Sequence, residues 1–193
     1  MTMSAPTVAR RGVSWQEYID LLDQPGYRTA ELIDGELVVV TPTALHQQVV
    51  LRLSFFLMAW TRAATDRGEV SFELSVRVGE RRGYLPDLMW YAPEQCARPG
   101  QRPAFDGPPA LVIEVLSPST RRLDAIRKCA DYARIGVREL WLIDCEVPEA
   151  LIARPAEPGA DAFLDEVYLD GDGELASSLL PGFAVRVSDL TER

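Results

Sequence analysis

The sequence predicts an α/β fold, and a strand–helix–strand unit in the second half of the chain is the main reason. An apolar run at 110–116 contains a single charged residue, Glu114, and is typical of a strand covered on both faces. A helix follows near 122–135, closed by Gly136, and a second apolar strand occupies 138–143. So short a crossover implies parallel strands with a right-handed connection.

The N-terminal elements are predicted from capping and turn patterns. A capping box at 14–17 begins a short helix, which ends before Pro25. The pair Asp34-Gly35 between two apolar runs is a strong hairpin pattern and predicts strands at 28–33 and 36–41.

Hydrophobic periodicity predicts the central elements. A long helix after Pro42 has one apolar stripe over about five turns. Strict alternation over 69–78 predicts one half-buried strand, and 88–91 forms the next strand, directly after Asp87. Five prolines and two glycines in 92–109 predict an irregular loop.

The patterns weaken beyond residue 144. They predict short strands at 150–154 and 166–169, and a last edge strand at 183–187. A length of 193 residues with 47% hydrophobic content fits a single domain, placed at 13–193, behind a disordered tail at 1–12.

Composition limits the location of the protein and its partners. No apolar run approaches the roughly 20 residues that span a bilayer, and no secretion signal follows the N-terminal arginines, so no membrane partner is expected. Three widely spaced cysteines match neither a disulfide framework nor a zinc site. We therefore expect a cytoplasmic protein.

The net charge of −9 argues against a broad basic surface for nucleic acid. The stretch 117–140 is nevertheless locally basic, with six basic residues against three acids. Three of its arginines are candidate nucleic-acid contacts: Arg121, Arg122 and Arg127.

Glu114 is the first candidate for chemistry, because an isolated carboxylate in an apolar strand is normally paired, protonated or bound to a metal. A buried ion pair with an arginine is the structural alternative. Metal binding needs a second acid, and Asp87 at the start of the neighbouring strand is the natural candidate. Taken alone, Asp87 could equally stabilise a turn.

Lys128 is the second candidate, because it is the single lysine among twenty basic residues. A compact ammonium approaches a phosphate oxygen as a point charge, which a planar guanidinium does less well. The structural alternative is an ion pair with Asp124, four residues earlier on the same helix.

Further candidates have equally good structural explanations. His46, the single histidine, lies in the first turn of the long helix, where the dipole favours the neutral, metal-competent imidazole. Tyr132 lies one turn after Lys128 and could touch phosphate or belong to the core. Glu31 is a weaker acid in a strand, and Ser117 offers a hydroxyl near Glu114 or simply precedes a helix.

Other chemistries lack support, since the chain has no GxSxG elbow, P-loop or glycine-rich dinucleotide fingerprint. Its motifs instead resemble the Uma2 family (DUF820) of restriction-endonuclease-like proteins in the PD-(D/E)XK nuclease superfamily. The resemblance extends over roughly residues 15 to 190, and the matching segments are LPD at 85–87, LVIEVLSPST at 111–120 and KxxxYxxxGVxELWLID at 128–144.

This resemblance implies a mixed α+β sheet flanked by helices, with a restriction-endonuclease-like core. It implies that Asp87 and Glu114 bind Mg²⁺ or Mn²⁺, with His46 and Val115 as further metal ligands. The superfamily's E-x-K lysine position is occupied by Leu116, so the resemblance implies that a lysine on the following helix, Lys128, takes that role.

The expected function is therefore metal-dependent hydrolysis of phosphodiester bonds in nucleic acid, with DNA as the expected substrate and a homodimer as a possible assembly. Two alternatives stay open. One is a nuclease-fold binding or assembly module without turnover, and the other is a metal-dependent phosphoesterase that acts on small nucleotides. The acidic composition favours both over a duplex-DNA enzyme.

Overall fold

The computed structural model describes residues 7–39, 41–96, 105, 107–116, 123–157 and 160–192, without the side chains of 123–126. In chain order, the strands are β1 (Thr7–Arg11), β2 (Ala30–Ile33), β3 (Glu36–Val39), β4 (Glu69–Ser71), β5 (Val76–Gly79), β6 (Arg82–Tyr84), β7 (Leu88–Tyr91), β8 (Leu111–Leu116), β9 (Glu139–Asp144), β10 (Ala150–Pro155), β11 (Phe163–Leu169), β12 (Glu174–Ala176) and β13 (Ala184–Arg186). The helices are α1 (Trp15–Leu22), α2 (Ala44–Arg62), α3 (Leu123–Ile135) and α4 (Val187–Thr191), with a 3-10 turn at Pro93–Gln95.

These elements form two compact units, each with its own sheet. The first unit comprises Met1–Thr43 and Glu73–Pro86, and the second comprises Ala44–Phe72 and Asp87–Arg193. The expectation of a single domain over 13–193 stays a prediction.

The sheet of the first unit has the strand order β1-β3-β2-β6-β5. Its centre is the predicted hairpin of β2 and β3, whose turn residues Asp34 and Gly35 both have positive φ angles, 51° and 82°. Two positive φ values in a two-residue loop are typical of the turn that matches the natural twist of paired strands. The predicted helix α1 also forms, and the Ser14–Glu17 capping box begins it.

The N-terminus differs from the tail expected for residues 1–12. Residues 7–11 form β1, which pairs antiparallel with β3, whereas residues 1–6 lie outside the described part of the chain. All five side chains of β1 are exposed. Backbone pairing therefore holds this strand, and such a strand has no hydrophobic pattern that sequence analysis could detect.

The single strand expected over 69–78 is also a misprediction. It divides into β4, which pairs with β7 in the second unit, and β5, which pairs with β6 in the first. The break falls at Glu73, whose φ of 55° lies in the left-handed region that strands do not use. Phe72 and Leu74 on either side are exposed, yet they complete the apolar alternation that predicted one strand.

The second unit contains the mixed sheet that positions the candidate site. Its strand order is β11-β10-β9-β8-β7-β4, and β8 pairs parallel with β9 through the crossover helix α3. The flanking strand pairs are antiparallel. This confirms the predicted strand–helix–strand unit and the mixed sheet flanked by helices.

Helices α2 and α3 cover opposite faces of β8. Leu111, Ile113 and Val115 belong to one buried cluster with the apolar stripe of α2. Glu114, which has the opposite orientation in the strand, instead contacts side chains of α3. The alternation of a strand thus directs its one acid toward the crossover helix.

The C-terminal segment forms a small two-stranded sheet of β12 and β13 followed by α4. The edge strand predicted at 183–187 is therefore shorter, and its last residue already begins a helix. Within the described residues, no helix is long and apolar enough to span a membrane.

Candidate active site

Asp87 lies where the sequence places it, immediately before β7. Leu88 of β7 pairs with Ile113 of β8, so one step further along this antiparallel register Asp87 comes opposite Glu114. Its Oδ2 accepts a 2.7 Å hydrogen bond from the backbone N–H of Val115. The strand register and this amide together hold the carboxylate beside β8.

His46 reaches the same carboxylate from the first turn of α2. Its Nε2 lies 3.2 Å from Asp87 Oδ2, and its side chain is only 10% exposed. Burial opposes protonation, but the hydrogen bond to Asp87 and the negative charges of Asp87 and Glu114 outweigh it, so the pKa of His46 is raised above its ordinary 6.5. This direction is opposite to the one that the helix dipole alone predicts.

Glu114 receives two hydrogen bonds from α3. The Tyr132 hydroxyl donates to Oε1 over 2.6 Å, and the Lys128 ammonium donates to Oε2 over 3.2 Å. Lys128 and Tyr132 are four residues apart and therefore lie on one face of the helix. The Lys128 ammonium thus contacts Glu114, whatever the position of Asp124, whose side chain lies outside the described part of the structure.

Tyr132 has no exposed surface in this arrangement. Of the two roles considered for it, direct contact with a phosphate is incompatible with this burial. Its hydroxyl instead fixes one oxygen of Glu114, whose side chain is itself 9% exposed. A buried carboxylate with both oxygens engaged is well compensated and keeps a defined orientation.

The remaining candidates have the following places in the structure. Glu31 lies in the first unit, is buried, and accepts a 3.2 Å hydrogen bond from the Leu85 amide. Ser117, Arg121 and Arg122 lie outside the described residues. Arg127 is half-buried on α3.

Part of the predicted basic strip is neutralised by acids. Arg134 forms a 2.6 Å ion pair with the buried Asp131, and Arg138 forms a 2.9 Å ion pair with Glu94. Charge counting along the sequence could not reveal Glu94, because it lies 44 residues before its partner. Arg134 and Arg138 are therefore each paired with an acid, although Arg154 in turn pairs with Glu139 of the strip, so these contacts leave its net charge unchanged.

The donor set suits a hard divalent cation, although it is not preassembled. Carboxylates and an imidazole are ligands that Mg²⁺ and Mn²⁺ accept. Among the described residues, however, no group of three or more His, Cys, Asp or Glu side chains is arranged to hold a metal ion. Instead, Asp87 and Glu114 accept hydrogen bonds from donors of the protein itself. Their carboxylates suit a divalent cation, and they would have to exchange these hydrogen-bond donors for the cation.

Sequence reasoning missed the role of the Val115 amide. Val115 is apolar and buried, so its side chain offers no ligand. Its N–H nevertheless orients Asp87. Alignment of β7 with β8 would have revealed this contact, because it places residue 87 beside residues 114 and 115.

Comparison with known proteins identifies the family of this chain. A family profile described as "Putative restriction endonuclease" matches residues 15–188. The chain belongs to the Uma2 family. The family resemblance that the motifs indicate is thus confirmed.

The Uma2 chain is also similar to a crystal structure described as "a putative nuclease belonging to DUF820 from Anabaena variabilis ATCC 29413". The TM-score is 0.71 at 17% identity, and the match covers 90% of the Uma2 chain and 96% of the other chain. At this identity the likeness supports the fold. No curated protein sequence matches the Uma2 chain.

Proposed function

We propose that this chain is a divalent-metal-dependent endonuclease that hydrolyses phosphodiester bonds in nucleic acid, with DNA as its substrate. The single observation that supports the proposal best is the convergence of an ammonium group and two acids from adjacent elements. Lys128 lies 3.2 Å from Glu114, and Asp87 is hydrogen-bonded to the amide of the residue after Glu114. These are the residue types that metal-assisted phosphoryl chemistry needs.

In this proposal Asp87 and Glu114 hold Mg²⁺ or Mn²⁺, with His46 and the main-chain oxygen of Val115 as further ligands. When bound, the cation supplies Lewis-acid activation of the phosphate and of water. An imidazole ligand would shift the preference toward Mn²⁺.

Lys128 has a role of its own. Its ammonium is a compact positive charge beside Glu114, and it would orient the attacking water or offset the negative charge that develops at phosphorus. Tyr132 donates to the other oxygen of Glu114. The carboxylate would therefore keep its orientation when the Lys128 ammonium turns toward water or phosphate.

Plasmid nicking with Mn²⁺ or Mg²⁺ tests the proposal. We expect Asp87→Asn and Lys128→Met each to reduce the rate by about a hundredfold or more. Asp144→Asn is a matched control, because Asp144 also accepts backbone N–H groups next to a strand end, from Glu146 and Val147. The proposal is wrong if all three variants cleave as fast as the parent while circular dichroism shows them folded.

A second candidate is a nuclease-fold module that binds without turnover. The absence of a preassembled group of three ligand side chains among the described residues favours it. Calorimetry separates this module from the enzyme, because an enzyme of the proposed kind must take up Mn²⁺ at millimolar concentration.

The pairing of Arg134 and Arg138 with acids favours a smaller phosphoester as substrate. Competition between nucleotides and plasmid DNA in the nicking assay tests this alternative.

A further inference from the structure

The outward face of α2 is apolar although it is exposed. The inward face, with Val49, Leu53, Leu57 and Trp60, belongs to the core of the second unit. On the other side, Leu51 is 70% exposed and Phe55 is 69% exposed, with contributions from Phe56 and Met58. A helix that is apolar on both sides is typically covered on both sides.

Charge distinguishes this face from the rest of the surface. The chain has 29 acidic residues and a net charge of −9, yet none of the 19 residues of α2 is acidic. Arg52 donates to the backbone carbonyls of Leu190 and Glu192, so its guanidinium is held against the C-terminal segment. The exposed middle of α2 therefore presents neither an acid nor a projecting base.

We propose that this face binds the same face of a second copy of the chain, in an isologous dimer with its twofold axis near Phe55. Two copies of a strongly acidic protein repel each other, and a contact through a surface that bears no acid minimises this repulsion. A twofold contact also requires the surface to be complementary to itself.

Antiparallel packing of α2 on its symmetry mate meets this requirement. With Phe55 at the axis, Leu51 of one copy faces Ala59 of the other, which pairs a large side chain with a small one. Gln48 faces Arg62, which pairs an amide with a base at the polar ends of the contact. Leu51, Phe55 and Ala59 form one ridge at four-residue spacing, the geometry by which helices commonly interdigitate.

The available area predicts a weak dimer. The exposed parts of Leu51, Phe55, Phe56 and Met58 provide roughly 400 Å² of apolar surface per copy. Two copies with their polar ends would bury on the order of 1,000 Å² in total, the lower limit for a specific interface. We therefore expect micromolar self-association.

Strand β11 also exposes large apolar side chains, with Leu164 71% exposed and Tyr168 75% exposed. Asp165 and Glu166 lie between these residues, so pairing two copies of β11 edge to edge would bring like charges together. This makes β11 a poor site for a second copy and a good source of control variants.

Sedimentation velocity over about 1 to 200 µM tests the proposal in that micromolar range. We expect a monomer–dimer equilibrium for the parent and at least a hundredfold weaker association for Phe55→Glu, because the two glutamates would meet at the axis. Leu164→Glu, which adds the same charge at a similarly exposed position, should leave the association unchanged. A parent that stays monomeric, or equal effects of both variants, would overturn the proposal.

A cysteine variant tests the position of the axis. Under mild oxidation Phe55→Cys should give a covalent dimer, whereas Leu164→Cys and the parent, with its three native cysteines, should not. Equal cross-linking of the two variants would contradict the proposed register. Neither measurement depends on nuclease activity, so this proposal and the proposed function fail independently.

Discussion

Tyr132→Phe measures how strongly the crossover helix holds Glu114. The substitution removes one hydroxyl, which donates a 2.6 Å hydrogen bond to Glu114 Oε1, and keeps the ring volume. Tyr132 is fully buried, and the Glu114 side chain is 9% exposed, so water replaces the lost donor poorly. Hydrogen bonds to charged groups contribute about 1.5–3 kcal/mol, and we expect the free energy of unfolding to fall by about 2 kcal/mol.

Urea unfolding followed by tryptophan fluorescence is the assay. With a denaturant slope of about 2 kcal/mol per molar, the midpoint should decrease by about 1 M. Tyr91→Phe is the control in the same unit, because the Tyr91 hydroxyl faces the weak acceptor Met89 Sδ at 4.0 Å. Burial raises the pKa of Tyr91 to about 12, so it remains a neutral phenol throughout the assay. We expect this control to cost less than about 0.5 kcal/mol.

A Glu114→Gln background completes the test. Neutral hydrogen bonds contribute about 1 kcal/mol, so the Tyr132→Phe cost should fall by about half once the acceptor is an amide. Equal costs for Tyr132→Phe and Tyr91→Phe, or an unchanged Tyr132→Phe cost in the Gln background, would refute the reasoning that the hydroxyl stabilises a buried carboxylate.

Two further measurements address other parts of the second unit. Gly68→Ala should destabilise it by more than about 2 kcal/mol in thermal unfolding, because φ is +66° and an added Cβ would lie 2.1 Å from the Tyr91 carbonyl oxygen. Gly182→Ala in the same unit, with a φ of +77° and no described atom within 4 Å, should cost about 1 kcal/mol, and equal costs would contradict the steric argument. Burial raises the pKa of the Cys129 thiol from 9.0 to about 11, so its alkylation by iodoacetamide at pH 8 should be about a hundredfold slower than that of an ordinary thiol. Mass spectrometry should show this rate rising about tenfold per pH unit, and a plateau below pH 10 would contradict it.

Local patterns predicted most of the fold that surrounds the candidate site. The apolar run of β8, the periodicity of α3 and the glycine that follows α3 are all encoded within a few residues. They sufficed to predict a parallel strand pair connected by a crossover helix. The lysine was found because composition made it exceptional, and its contact with Glu114 follows from the helical face that it shares with Tyr132.

The features that sequence reasoning missed depend on contacts with no local pattern. Strand β1 is held by backbone pairing and exposes every side chain. The break at Glu73 is a single backbone angle within an intact alternation of apolar residues. The Val115 amide acts through its main chain, which no choice of side chain reveals.

The attachment of Lys128 to a helix has a consequence for how the site can change. A lysine two residues after an acid on the same strand is fixed to it by the pleat, whereas the distance between Lys128 and Glu114 is set by how α3 packs on the sheet. Helices can slide or rotate by small amounts on a sheet at modest cost, and strands in a ladder cannot. Substitutions under α3 could therefore adjust the separation between ammonium and carboxylate gradually, without disturbing the hydrogen-bonded framework that carries the acids.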